Sequence, residues 1–198
     1  MSGQYAVLTG DLIRSSDLAP SALDAGLDSL EQAAQDFAGC FSRRGGDGWQ
    51  CAAPSPENAL RYALILRAAL RSHGKDYATR ISIAVGAGTL PANGDVNAAY
   101  GPAFTASGRL LEALPSGARM ADAAGGVLDA ATRLADHISS GWTPAQARSV
   151  RLILWPKERI RSEAAAELGI TRQAVDQALW SAGFPALSDA LKLIESAV

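Results

Sequence analysis

Apolar positions along this chain follow two periods that alternate several times. Residues 4–13 form a near-continuous apolar run and predict a buried strand. From Leu18 to Phe37, residues Leu23, Leu27, Leu30, Ala33 and Ala34 fall on one helical face. Phe37 to Arg44 and Trp49 to Ala53 are apolar enough to pair as strands. Gly45-Gly46 between them suits the positive φ angles of a tight hairpin. A two-residue turn there sets Arg44 opposite Asp47, Ser42 opposite Trp49 and Cys40 opposite Cys51. Ser55-Pro56-Glu57 opens a second helix, with serine as N-cap and proline at the first helical position. Its apolar face runs through Ala59, Leu60, Tyr62, Ala63, Ile65, Leu66 and Leu70, and Gly74 ends it. Arg80 to Gly86 alternates and is β-branched, which predicts a strand. The order strand, helix, strand, strand, helix, strand is the ferredoxin-like pattern.

Beyond it the texture changes. A loop rich in Gly, Pro and Asn runs from Thr89 to Asn97, a third helix from about Gly101 to Leu114, and a short strand over Ala118 to Ala121. Ala123 to Ser139 reads as a connecting helix. Thr143-Pro144 opens another helix that Pro156 stops. Glu158 to Leu168 forms the next, Thr171 caps a further one that Gly183 and Pro185 end, and Ala186 to Ala197 closes the chain. The expected fold class is α+β: a ferredoxin-like domain over 1–122, a connecting helix over 123–141, and a small all-α helix-turn-helix domain over 142–198.

Ala164 to Val175 carries the helix-turn-helix expectation. Small alanines let two helices cross closely, Gly169 takes the left-handed turn position, and Ile170, Val175 and Leu179 form the buried face. Thr171, Arg172, Gln173, Asp176 and Gln177 then point outward, where such helices meet DNA bases. Arg148, Arg151, Arg159 and Arg161 are candidates for phosphate contacts. The blander alternative is a three-helix dimerisation or docking module without DNA, which Glu163 and Asp176 favour.

Composition sets bounds. In 198 residues, 48% hydrophobic and 19% charged content is that of a well-packed globular protein. A net charge of −2 gives no whole-chain sign of a nucleic-acid partner, although a small basic face is compatible with it. No apolar run approaches the roughly 20 residues of a membrane span. The start of the chain lacks the basic-then-apolar pattern of a signal peptide, so the expected location is cytoplasmic. Cys40 and Cys51 make no disulfide framework and read as small core residues. His73 and His137 lack partners at metal spacing. Trp49, Trp142, Trp155 and Trp180 read as core or domain-contact residues.

The chemistry lies in two carboxylates. Asp11 ends the first strand and Asp47 sits at the hairpin tip. Acids at neighbouring strand ends can hold a divalent cation and, through it, the phosphates of a nucleotide. Taken singly, Asp47 is also an ordinary turn residue, Asp11 with Ser15 and Ser16 caps a helix, and Arg43, Arg44 and Arg109 are solvated surface.

Thr9-Gly10-Asp11-Leu12-Ile13-Arg14-Ser15-Ser16, Gly46-Asp47-Gly48, and Tyr100 to Leu110 occur in the order of three motifs of the class III nucleotidyl cyclases, and over about residues 1–122 the chain resembles them. Gly46-Asp47-Gly48-Trp49-Gln50 and Gly101-Pro102-Ala103-Phe104 are also similar to motifs of the SatD family, which pairs a cyclase-like domain with a helix-turn-helix. The resemblance implies Mg²⁺ or Mn²⁺ with a nucleotide at Asp11 and Asp47, a homodimer, and phosphate- or ligand-binding roles for Ser15, Ser16, Arg43, Thr105 and Arg109. Arg43 stands at the family's base-reading lysine, Thr105 at its ribose-orienting asparagine, and Val96, beside Asp95, at its base-reading acid. Those departures point from cyclisation towards sensing. The expected function is a dimeric bacterial transcriptional regulator, a degenerate cyclase-like domain that senses a phosphate-bearing ligand and a helical tail that binds DNA. The alternatives are an active two-metal cyclase or phosphotransferase and a scaffold that binds no ligand.

Overall fold

The computed structural model describes residues 1–155 and 159–197. Its strands are β1 (Ser2–Leu12), β2 (Cys40–Arg44), β3 (Gly48–Ala53), β4 (Thr79–Thr89) and β5 (Met120–Asp122). Its helices are α1 (Pro20–Asp36), α2 (Ala59–Arg71), α3 (Pro102–Glu112), α4 (Gly126–Ser140), α5 (Pro144–Ile153), α6 (Arg161–Leu168), α7 (Arg172–Ser181) and α8 (Phe184–Glu195). The sheet order is β2-β3-β1-β4-β5. The first four strands pair antiparallel in the ferredoxin-like arrangement, and β5 adds parallel to β4. The predicted stop at Pro156 and helix start at Glu158 lie outside the described residues.

Alternation along the strands divides the packing between two faces. Ala6, Leu8 and Leu12 join α1 and α2 in the larger core, whereas Val7, Leu90, Val96, Ala103 and Phe104 form a second layer with α3 on the other face. Beside that second layer lies a buried polar cluster with its bonds made. Ser82 donates to Ser107 O at 2.7 Å, and Ser107 Oγ and Gln50 Nε2 each donate to Thr9 Oγ1 at 2.7 Å.

The hairpin departs from expectation by one residue. Gly45 and Gly46 both take positive φ (34° and 66°), and Gly48 N–H donates back to Gly45 O at 3.3 Å, which draws Asp47 into a three-residue loop. Arg44 therefore pairs with Gly48, Ser42 with Gln50, and Cys40 with Ala52. A slip of one residue sends side chains to opposite faces. Cys51 lies in the larger core, where burial pushes its thiol pKa up, while Cys40 packs on the second layer.

Other local expectations shift for identifiable reasons. Ser55 makes no side-chain cap. It adopts positive φ (57°) before a short 3₁₀ turn over Pro56–Asn58. Pro185 starts α8, at a position where a missing N–H costs nothing, rather than ending α7. Thr143 with Gln146 closes a capping box on α5, Thr171 accepts from Ala174 N at 3.1 Å, and Gly169 (φ 65°) ends α6, all as predicted. Ile170 is 43% exposed because its backbone is used to close the end of α6, donating to Ala165 O, with its side chain left outside. Trp49 and Trp142 are buried and Trp155 half-buried, but Trp180 is 76% exposed and takes no core role.

Every residue of α2 is buried, including Arg61, Arg67 and Arg71. The sheet covers one side and helices α1, α4, α5 and α8 close around the rest, so one apolar cluster runs from Leu64 and Leu66 to Val150, Leu154, Val175 and Leu187. Arg67 Nη1 donates to Asp136 Oδ1 and to Ser139 Oγ, both at 2.7 Å, and Arg61 forks onto Glu195 at 2.6 and 2.8 Å. Burial opposes the Asp136 carboxylate. The Arg67 charge and the hydrogen bonds from Arg67 and from the Arg119 and Met120 amides outweigh it, and they hold its pKa below the ordinary value.

Asp136→Ala is expected to cost about 3–5 kcal/mol in urea unfolding, because it leaves Arg67 buried without a counter-charge. The depressed carboxyl contributes its stability above the unfolded pKa of about 3.9, and that stability is lost as pH falls through the lower folded value. The variant's acid-unfolding curve should therefore lack this component.

Candidate functional site

Asp11 is the last residue of β1 with β3 on one side and β4 on the other, aligned with Gly48 and with Arg80. Its placement begins one residue earlier. A Cβ on Gly10 would lie 2.4 Å from both Arg80 O and the Trp49 ring, so only glycine lets that indole lie across β1. Trp49 Nε1 donates to Thr79 Oγ1 at 3.1 Å, and Thr79 Oγ1 donates to Asp11 O at 2.7 Å. On the other side, Leu12 N–H donates to Asp47 O at 3.2 Å, which fastens the hairpin loop to the end of β1.

This backbone frame brings the two predicted acids to one open cleft of about 450 Å³, which Asp11, Asp47, Arg14, Arg80, Gly117 and Arg119 help to line. The Arg80 guanidinium forks onto Asp11, with Nε at 2.8 Å from Oδ1 and Nη2 on Oδ2. That hydrogen-bonded pair, against partial burial and with help from the Asp47 charge, raises the Arg80 pKa above its usual value. Ser15 Oγ donates to Asp47 Oδ2 from the turn that Arg14 enters with left-handed φ (56°). Among the described residues the guanidinium groups of Arg14 and Arg119 make no ion pair. The cleft thus sets three cationic side chains against two carboxylates.

Other predicted residues lie elsewhere. Ser16 is exposed on the turn after Arg14, with no side-chain bond. Arg43 reaches Asp24 and Asp28 on α1, at 2.9 and 2.5 Å, instead of the cleft. Thr105 and Arg109 are exposed one turn apart on α3. Val96 is buried, and Asp95 caps its own turn by accepting from Asn97 N at 3.0 Å. In the tail, Thr171, Arg172, Gln173 and Gln177 are exposed. Asp176 is held by Arg161 at 2.6 Å, and Arg159 pairs with Glu167 at 3.2 Å.

Sequence reasoning missed Arg80, Arg14 and Arg119. Arg80 was legible as the polar first residue of a β-branched run, but its alignment with Asp11 depends on strand order. Arg119 precedes a three-residue strand too short to carry a period. Gly10→Ala is expected to destabilise the fold by at least about 1–3 kcal/mol, the range for overpacking. Its chemical unfolding, followed through the Trp49 emission it displaces, checks this.

Two carboxylates are the donor type a hard divalent cation takes, although Arg80 engages both Asp11 oxygens in this structure. Asp11 and Asp47 offer carboxylate oxygens in an open cleft where water can complete the coordination Mg²⁺ or Mn²⁺ requires. Among the described residues, no group of three or more His, Cys, Asp or Glu gathers.

No protein-family model and no curated protein matches the chain, so the narrower resemblance to the SatD family stands on its motifs alone. Solved structures similar to it include a bacterial light-regulated adenylyl cyclase (15% identity, TM-score 0.47, 62% of this chain and 43% of that one). The guanylyl cyclase Cya2 is another (18%, 0.45, 64% and 80%), as is the adenylyl cyclase CyaB from P. aeruginosa (16%, 0.49, 62% and 77%). The chain spans less than half the length of the first of these. At such values the functional reading rests on this chain's own residues.

Proposed function

We propose that the cleft between β1, the β2–β3 hairpin and the segment before β5 binds a nucleoside triphosphate with Mg²⁺ or Mn²⁺, as a cyclase-like phosphotransfer site. The observation that carries this reading is the meeting of Asp11 and Asp47 in one cleft with Arg14, Arg80 and Arg119. Asp11 and Asp47 would hold the cation, and Arg14 and Arg119 would fork onto phosphate oxygens, a geometry that suits guanidinium. When bound, the cation lowers the pKa of an attacking hydroxyl and neutralises phosphate charge. Arg80 holds Asp11 and Ser15 holds Asp47 at the cleft, and on binding Asp11 would exchange its arginine for the cation. Thr105 and Arg109, exposed on α3, are free to meet a second copy of the chain, in keeping with the homodimer that the cyclase resemblance implies.

Incubation with ATP or GTP and Mn²⁺, followed by chromatography, is expected to give a phosphotransfer product that is lost in Asp11→Ala and Asp47→Asn. Titration calorimetry supplies the second arm. Nucleotide heats without product leave a sensing domain, and the absence of both overturns the reading in favour of a scaffold.

A second reading is favoured by the tail. The exposed row Thr171, Arg172, Gln173 and Gln177 begins at a capped helix N-terminus after a left-handed glycine turn, the arrangement with which helix-turn-helix proteins enter a major groove. On this reading the chain is a transcriptional regulator, and nucleotide in the cleft controls DNA binding by the tail. Against an operator selected from random duplexes, Arg172→Ala is expected to cost about 1–3 kcal/mol in a filter-binding titration if that side chain reads a base. A tail that selects no duplex removes this reading and leaves the first intact.

A further inference from the structure

Arg148, Arg151 and Arg159, expected from sequence to face DNA phosphates, line a second cleft of about 500 Å³ away from the exposed row of α7. Its walls come from the last residue of α1 (Asp36), from α2 (Ile65 and Ser72), from α5, from Trp155 and from the second half of α6. The volume falls within the ~300–1,000 Å³ of small-molecule sites. We propose that this cleft binds a small organic anion, a planar apolar ring carrying a carboxylate or phosphate head.

The lining divides accordingly. The half-buried indole of Trp155, with half-buried Leu152 and Leu168 and with Ile65 buried behind them, offers apolar surface for a ring. Among the described residues its lining sets three guanidiniums beside two carboxylates, Asp36 and Glu167. Their present engagements are weak ones. Arg151 stands 3.8 Å from Asp36, beyond hydrogen-bond distance, and Arg159 lies 3.2 Å from a Glu167 whose side chain is 52% exposed. Arg148 donates to the Ser72 carbonyl at 3.2 Å. Solvated pairs of this kind contribute little, so a ligand oxyanion displaces them at small cost and gains forked, charge-assisted bonds. The occupant would bridge α1 and α2 to α5 and α6.

Three probes with one ring and different heads test this on the full chain: benzoate, phenyl phosphate and phenol. Binding is read as movement of the Trp155 indole N–H resonance, assigned with Trp155→Phe. Benzoate or phenyl phosphate should move it saturably and phenol should not, and the tighter anion identifies the head group. Arg151→Gln should weaken the anion by roughly tenfold, the loss of one charge-assisted bond, and Arg148→Gln/Arg151→Gln by more. Arg159→Gln, an exposed substitution, gives the same readout if the double variant is poorly folded. Asp11→Asn, in the other cleft, should leave the titration unchanged. Equal binding of phenol, no movement with either anion, or titrations indifferent to the arginine variants would overturn the proposal.

Discussion

Helix α2 has no face to water, and that constraint organises the molecule. A helix buried on every side would ordinarily be apolar all round, yet this one carries Arg61, Arg67 and Arg71. A buried guanidinium must find acceptors, and those for Arg61 and Arg67 come from α4 and the C-terminal helices: Asp136, Ser139, Leu154 O and Glu195. Such pairs add little net stability over apolar substitutes of similar volume. Their consequence here is arrangement. Any packing of the later helices that left Arg67 without Asp136 would strand a charge in the core, so the sheet and the helical segment share one core.

The same carboxylate reaches the Asp11 cleft. Asp136 Oδ1 meets Arg67 while Oδ2 accepts from the amides of Arg119 and Met120, which fixes the start of β5 beside β4. Arg119 at the cleft wall is thus positioned from inside the core, as Asp11 is by the Gly10–Trp49 contact. The cleft side chains are held by strand ends and a packed turn rather than by long loops, which favours a fixed geometry over one assembled on binding.

Much of this was legible in the residues. The period change from two to 3.6 located each strand and helix of the front segment, and capping signals at Thr143, Gly169 and Thr171 located those of the tail. Asp11 and Asp47 were legible as a pair because each stands beside a glycine at the end of a strand. What failed to show was everything set by register or by partners distant in sequence. The Gly45-Gly46 pair announced a turn but not its length, and one extra loop residue put Cys40 and Cys51 on opposite faces of the sheet. The arginines of α2 carried no sign of burial in the sequence, and those of α5 read as candidate phosphate contacts. Only the helices packed against α2 reveal that Arg67 is buried, and only the meeting of α1 with α5 turns Arg151 towards Asp36.

Charge balance in the Asp11 cleft decides which kind of ligand suits the proposed site. A bare cation would compete with the Arg80 fork for Asp11, and a bare phosphate would face two carboxylates. A metal–polyphosphate complex meets neither obstacle. On the proposed reading its anionic oxygens would draw Arg80 along with Arg14 and Arg119, and Asp11 would exchange its arginine for the cation. Because Arg80 is 42% and Asp11 22% exposed, parting them costs far less than parting a buried pair. On that reading the resting contact keeps both charges ordered, and a complex carrying both signs would meet the carboxylates and the arginines together.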